Sequence, residues 1–324
     1  MIKKIFFVLG IILHMKKNIL VTGCAGFIGS AISKKLIDNQ YNVFGIDNLS
    51  TGKKKNIPKN LKFVIGSCND QKTLNKFKNI SFFSIIHLAG RVGSEISSYN
   101  PLMDCENNIL ATVKLLELAK KTRCSHFIYA SSMSVYGDLA AKSVSENHNC
   151  NPKSYYGISK LASENYIKIS QNKKLKSTIL RLFTVYGPGQ NLDNPMQGMI
   201  SIYLHQIMKK KKLIIKGSDK RVRDFIYIDD LTNFFMKIIG NKKFFNQTLN
   251  VGTGKKHTIK EVIKKLRIIT KINFPVIFKK STPLDQFYIF PNIKKLKKFI
   301  NVKSFKSLDE GLNRLVFYLK KIYD

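Results

Sequence analysis

The chain has 324 residues, 44% of them hydrophobic and 23% charged, a globular composition with room for one large or two modest domains. No apolar run approaches the roughly 20 residues that span a bilayer, and no short period marks a solenoid, a collagen or a coiled coil. The formal charge of +36 arises from 56 Lys+Arg against 20 Asp+Glu. Seven of the cations are arginines and the rest are lysines spread along the chain without interleaved aromatics. That spread reads as a solvated basic surface and argues against a nucleic-acid binder.

Residues 1–14 stand apart. Ile5–Leu13 is a short apolar run behind two lysines, but no small-residue cleavage site follows it. Met15 can itself be a start, so the run is expected to be a dispensable extension, with a weak membrane tether as the alternative. From residue 17 to about 183, strand and helix signals alternate. Asn18–Val21, Tyr41–Ile46, Leu61–Ile65, Ile85–Leu88, Phe127–Ala130 and Thr178–Phe183 read as strands, Ile28–Asp38 and Asn108–Lys120 as helices. Alternation of this kind predicts an α/β fold with a Rossmann-type, doubly wound parallel sheet.

After Gly187-Pro188-Gly189 the pattern loosens. Gly198–Lys210, Thr258–Leu266 and Leu308–Lys320 read as helices and Leu213–Ile215 as a short strand, while Phe225–Ile228 and Leu249–Val251 are short apolar runs that can return to the large domain. The expected division is a dinucleotide-binding domain over residues 15–186, with returns near 223–240 and 248–254, and a smaller mixed α/β region over 187–324. Five cysteines form no CxxC pair and no metal-ligand spacing, so no metal is expected. Their odd number suits a reducing cytoplasm.

Gly23-Cys24-Ala25-Gly26-Phe27-Ile28-Gly29 follows the first strand and opens the first helix. Glycines there let backbone approach a pyrophosphate, and the helix N-terminus offers free N–H groups and positive potential. The spacing is G-x-x-G-x-x-G rather than the commoner G-x-G-x-x-G. Asp47 ends the second strand, with Asn48 beside it. A carboxylate there accepts ribose hydroxyls and repels a 2′-phosphate, which favours NAD over NADP. The alternative is a plain turn-initiating Asp-Asn pair.

Tyr156 and Lys160 lie four apart on a predicted helix and so share a face. A phenol of pKa about 10 needs about 4 kcal/mol of electrostatic help to ionise near pH 7, which a neighbouring ammonium and a positive nicotinamide ring would give. A phenolate so placed removes a proton from a hydroxyl while hydride leaves the same carbon. Upstream, Tyr129-Ala130-Ser131-Ser132-Met133-Ser134-Val135-Tyr136-Gly137 closes a strand and puts Ser132 in position to hydrogen-bond the same hydroxyl. Ser131 and Ser134 read rather as a hydrated strand end.

With these motifs in this order the chain resembles the extended short-chain dehydrogenase/reductases, in their NAD-dependent nucleotide-sugar epimerase/dehydratase group, and looks most like UDP-glucose 4-epimerases. The likeness covers residues 17 to about 320 and includes His87-Leu88-Ala89, Arg181-Leu182-Phe183-Thr184-Val185-Tyr186-Gly187-Pro188 and Arg223-Asp224-Phe225. It implies NAD as cofactor, with Gly23, Gly26, Gly29 and the backbone of Phe27 and Ile28 at the pyrophosphate, and Asp47 and Asn48 at the ribose. It puts Ser67 and Cys68 at adenine and Leu88, Ala89 and Gly90 along the cofactor. Asn108 and Phe183 would stand near the nicotinamide half, with Tyr156 and Lys160. For a UDP-sugar substrate it implies contacts from Ser132, Tyr156, Thr184 and Arg223, the last a guanidinium fork for the diphosphate. Leu88 and Ala89 equally suit strand core, Asn108 a polar helix start, and Arg223 a surface ion pair; His87 reads as a structural histidine.

Relatives that dehydrate or decarboxylate a sugar carry further acids where this chain has Met133-Ser134, so the expected reaction is C4 epimerisation of a UDP-hexose through a 4-keto intermediate. A nucleotide-sugar oxidoreductase, such as a 4-keto-sugar reductase, is the alternative; a non-catalytic NAD-binding protein is a third. Thr184 replaces a common Asn, Ser67 an adenine-binding Asp, and Gly90-Arg91 an alanine-rich stretch; an Arg is missing near Thr282-Pro283-Leu284-Asp285. The likeness also implies a homodimer formed through two helices of the large domain, a role in polysaccharide synthesis and no integral membrane association.

Overall fold

The computed structural model describes residues 16–139, 143–191, 198–281 and 286–323; the Ile5–Leu13 run and the Thr282–Asp285 segment lie outside the described residues. The strands are β1 (Asn18–Thr22), β2 (Asn42–Asp47), β3 (Lys62–Ile65), β4 (Ser84–His87), β5 (His126–Ser132), β6 (Lys176–Leu182), β7 (Thr184–Tyr186), β8 (Leu213–Lys216), β9 (Val222–Arg223), β10 (Phe225–Tyr227), β11 (Gln247–Val251), β12 (His257–Thr258) and β13 (Val276–Lys279). The longer helices are α1 (Phe27–Asp38), α2 (Ala111–Lys121), α3 (Tyr155–Ser170), α4 (Met199–Lys210), α5 (Ile228–Ile238), α6 (Ile259–Thr270) and α7 (Leu308–Tyr323). Among the described residues no helix is long and apolar enough to cross a membrane.

Seven strands form one parallel sheet in the order β3-β2-β1-β4-β5-β6-β11. Every residue of β5 is buried and so is the run Ile19–Thr22, as a parallel sheet covered on both faces requires. Alternate residues feed two cores. Ile19, Val21, Ile86, Ile128 and Leu180 pack with Ile32 and Leu36 of α1 and with Leu231, Phe234, Phe235 and Ile238 of α5. Leu20, Ile85, Phe127, Tyr129 and Ile179 pack on the other face with Leu115, Leu116 and Ala119 of α2 and Ile167 of α3. The strand order reverses between β1 and β4, and the chain leaves the two strand ends in opposite directions there. A crevice opens above that point.

Three elements differ from the sequence reading. Asn108–Lys120 is not one α-helix: Cys105–Leu110 is π-helical and α2 begins at Ala111. The cause is local. The Asn108 carbonyl accepts the Thr112 and Ser163 hydroxyls at 2.6 and 3.1 Å, which draws it out of the regular ladder. Phe225–Tyr227 does not join the large sheet; β10 pairs with β7 in a separate parallel ladder, while β11 takes the sheet edge beside β6. A short helix over Ser94–Tyr99, with no strong sequence signal, follows β4. The smaller part of the molecule has β8 paired to β13 and α4 packed on β8, and Asp224 ties the start of β10 to the turn after β11. Its buried carboxylate accepts the Thr253 and Lys255 amides and the Thr253 hydroxyl at 2.8–3.0 Å.

The glycine turn after β1 is set by contact as much as by conformation. Gly23 has φ +69°, and a Cβ there would stand 2.9 Å from the Ala89 nitrogen. A Cβ on Gly29 would collide with the Gly23 carbonyl, because α1 starts directly against the turn. Gly29→Ala is therefore expected to lower stability by about 1–3 kcal/mol through overpacking and to open the turn. Urea unfolding and measurement of bound dinucleotide check both effects.

Candidate active site

A cleft of about 540 Å³ lies above the ends of β1, β4 and β5 and is closed on one side by β7, Arg223 and Gln286. At one end stands the glycine turn. Helix α1 opens at Gly26 with no side-chain cap and no acid in its first turn, so its first N–H groups face the cleft without a protein anion. Asp47 is buried at the end of β2; its carboxylate accepts the Ala25 amide at 2.9 Å and the Leu49 amide at 2.8 Å. A carboxylate has about four acceptor sites, so two remain for ribose hydroxyls. Asn48 accepts the Ser50 amide at 3.1 Å and lines the same end, with Ser67 and Cys68. Burial pushes the Cys68 thiol up to about 12, which keeps it neutral beside the carboxylate. Free N–H groups, a cradle that only glycine leaves open and a carboxylate without a nearby arginine fit an NAD pyrophosphate and adenosine.

The middle of the cleft floor is one directed chain of hydrogen bonds. The Thr22 hydroxyl accepts the Leu88 and Ala89 amides, both at 3.2 Å. Its own proton therefore goes to His87 Nδ1 at 2.8 Å, and His87 Nε2–H is assigned toward Thr112 Oγ1 at 3.1 Å. Burial, helped by the Lys160 charge, pulls the His87 pKa down to about 3. His87 thus stays neutral and structural. Leu88, Ala89 and Gly90 line the cleft above it.

At the other end Ser132, Tyr156 and Lys160 come together, all buried within the cleft wall. The Ser132 hydroxyl accepts the Ser134 amide at 3.1 Å and faces the Tyr156 phenol. Burial pushes Tyr156 up to about 12, and Ser132 pulls it down in part. Lys160 Nζ donates to the Ala130 carbonyl at 2.9 Å and sits 5.9 Å from the Tyr156 ring centroid. A positive nicotinamide ring bound in the cleft would add to the Lys160 charge in favouring the phenolate. Burial also lowers Lys160, to about 8, against a rise from Asp104 and then Glu164.

Asp104 carried no motif, yet both its oxygens are buried without a hydrogen-bond partner, and Arg91 Nε lies 3.6 Å away. Burial raises its pKa; the Arg91 and Lys160 charges hold it down. Asn108 sits behind the cleft wall rather than in it. Its side chain accepts the Arg91 amide at 2.8 Å and donates to Ser159 Oγ at 2.8 Å, so it holds the Gly90-Arg91 loop onto α3. Phe183, Thr184 and Arg223 line the far wall. Arg223 is buried, 3% exposed, and donates to the carbonyls of Val222, Phe287 and Gln286. Thr22, Ser159 and Asp104 were missed because their partners lie 50 or more residues away or in another element.

A dinucleotide cradle at one end of a crevice and a buried phenol, hydroxyl and ammonium at the other point to the class of nicotinamide-dependent proteins. The comparisons narrow it. The profile of the NAD dependent epimerase/dehydratase family matches residues 19–252, and the chain belongs to that family, whose cofactor is NAD. It is 31% identical over 322 residues to a UDP-glucuronate 4-epimerase of Thermodesulfobacterium geofontis, covering 93% of this chain and 96% of the relative. The crystal structure of a UDP-glucose 4-epimerase with UDP-glucose from Thermotoga maritima superposes with a TM-score of 0.89 at 32% identity, over 95% of this chain and all of that one. A UDP-glucuronic acid 4-epimerase from Bacillus cereus, in complex with UDP-glucuronic acid and NAD, gives 0.85 at 30% identity, over 94% of this chain and all of its own.

The charge on Asp104 raises the pKa of both Lys160 and Tyr156. Asp104→Asn is therefore expected to shift both limbs of the pH–rate profile toward lower pH. Profiles of kcat for the two proteins decide it; limbs that stay in place with only a lower maximum count against the coupling.

Proposed function

We propose that the protein is a UDP-sugar 4-epimerase with firmly held NAD. The observation that carries this reading is the Ser132–Tyr156–Lys160 set followed by Met133 and Ser134. That segment offers a base and a hydroxyl anchor for one carbinol and no second carboxylic acid for elimination or decarboxylation. The uridine diphosphate moiety is supported by the UDP-sugars in the two similar structures.

In this mechanism the Ser132 hydroxyl orients the C4 hydroxyl and Tyr156, as phenolate, removes its proton. Bound NAD supplies a reversible hydride acceptor at the same carbon, so that carbinol becomes ketone and the electron pair is retained on the enzyme. Lys160 keeps positive charge below the phenolate while its ammonium anchors to β5. The 4-keto sugar turns about its link to the diphosphate, held meanwhile by the Arg223 side of the cleft. Tyr156 returns the proton after re-reduction on the other face, and no net oxidation occurs. Met133 has no proton to transfer, and Ser134 is engaged with Ser132 at 3.2 Å.

We also infer a homodimer. On α3 the apolar residues Tyr155, Ile158, Tyr166 and Ile169 are exposed at helical spacing, Ile169 to 85%. Tyr99, Leu102 and Leu110 are exposed on the segment leading into α2, which packs beside α3. Such a stripe suits a second copy. The free cysteines are compatible with a reducing cytoplasm.

Conversion of a panel of UDP-hexoses, their N-acetyl forms and their uronates, without added cofactor, tests the activity. Tyr156→Phe is expected to lower turnover at least about a hundredfold while the fold and bound NAD persist. Near-normal turnover in that variant overturns the assignment. Ile158→Glu with Ile169→Glu is expected to give monomers in analytical ultracentrifugation, where the parent chain gives dimers.

A further inference from the structure

A buried row of side chains holds the Ser132 segment, its Glu164, Arg181 and Tyr136 lying outside the cleft lining. Ser131 and Arg181 are direct register partners on β5 and β6, and Asn250 on β11 is the partner of Arg181 on the other side. These three side chains form one row across the sheet, on the face that α3 covers. Glu164 of α3 reaches down to this row. It accepts Ser131 Oγ at 2.6 Å and takes the Arg181 guanidinium as a fork, Nε to Oε1 at 2.9 Å and Nη2 to Oε2 at 2.7 Å. Arg181 Nη1 continues to the Tyr136 hydroxyl at 2.9 Å, and that hydroxyl donates to Asn250 Oδ1 at 2.6 Å. Glu164, Arg181 and Tyr136 are each 3% exposed or less.

The row has a fixed relation to the chemistry. Glu164 lies four residues beyond Lys160 and eight beyond Tyr156, on the same stripe of α3. Ser131 immediately precedes Ser132, and Tyr136 closes the turn that follows it. In a strand, neighbours point to opposite faces, so Ser131 buried under α3 obliges Ser132 to face the cleft. A slip of one residue would exchange them. Both Glu164 oxygens are fully engaged, and neither Glu164 nor Arg181 lines the cleft, so proton transfer to substrate is not their work.

We propose that Ser131, Glu164, Arg181 and Tyr136 are positioning residues for the reaction: a buried row that locks the register of α3 against β5 and so fixes Ser132 against Tyr156. The inference rests on the proposed catalytic use of that pair. A misplacement of about 1 Å in such a pair costs on the order of a hundredfold in rate, whereas substrate and cofactor contacts elsewhere in the cleft are untouched.

The test uses the intact, NAD-loaded protein with two mild variants that leave the ion fork in place. Ser131→Ala and Tyr136→Phe are each expected to lower kcat about ten- to a hundredfold, with KM and bound NAD within about twofold of the parent. Ser131→Thr, which restores a hydroxyl, is expected to recover most of the loss. Unchanged kcat with a lowered melting temperature in both variants would reduce the row to a structural element and overturn the proposal. High-resolution structures of the two variants read the same point without substrate: the Ser132–Tyr156 contact is expected to loosen, and an unchanged contact contradicts the proposal. A parent protein that converts no UDP-sugar would instead refute the proposed function, and the variant structures would still decide this one.

Discussion

The seating of α3 on the end of β5 is the constraint from which the rest of the site follows. One stripe of the helix, Tyr156, Lys160 and Glu164, meets three consecutive strand-end residues. Lys160 is tied to a backbone carbonyl rather than to a side chain, so its charge is placed without a flexible partner. Glu164 is paired with Arg181 below the cleft and still raises the Lys160 pKa from there. A buried carboxylate left without its arginine would be strongly destabilising; paired as a fork, it gives orientation.

Electrostatically the site is poised rather than ready. Burial favours the neutral phenol at Tyr156 and the neutral amine at Lys160, the opposite of what the chemistry needs at either group. Asp104, buried beside Arg91 and Lys160, favours the ammonium. Bound NAD would bring a positive nicotinamide ring that favours the Tyr156 phenolate. The basic surface has a simple use here as well. On the proposed function, a net charge of +36 favours the approach of a dianionic nucleotide sugar.

Much of this was legible in the sequence because it is local. The glycine turn, the carboxylate ending β2 and the Tyr156–Lys160 spacing each depend on residues within one or two adjacent elements. Strand positions were legible because parallel strands buried on both faces are continuous apolar runs, and the errors fell at their ends. What stayed hidden is what depends on distant partners. Asp104 looks like an ordinary surface acid until its helix is placed against α3. Ser131 looks like a hydrated strand end until Arg181 is set beside it in register. The π-helical turn before α2 is caused by hydroxyls from Thr112 and from Ser163, and the second of these is not local. The hydrogen bond from Lys160 to the Ala130 carbonyl follows from strand-to-helix distance, which residue spacing does not contain.

The central claim is that one carbinol is oxidised and reduced again at the same carbon with the hydride kept on the enzyme. A UDP-sugar deuterated at C4 tests it most directly, converted in ordinary water with purified protein and no added cofactor. The account predicts an epimerised product that retains deuterium at C4, with no reduced cofactor released. Deuterium lost to solvent, or released in step with free NADH, would contradict it.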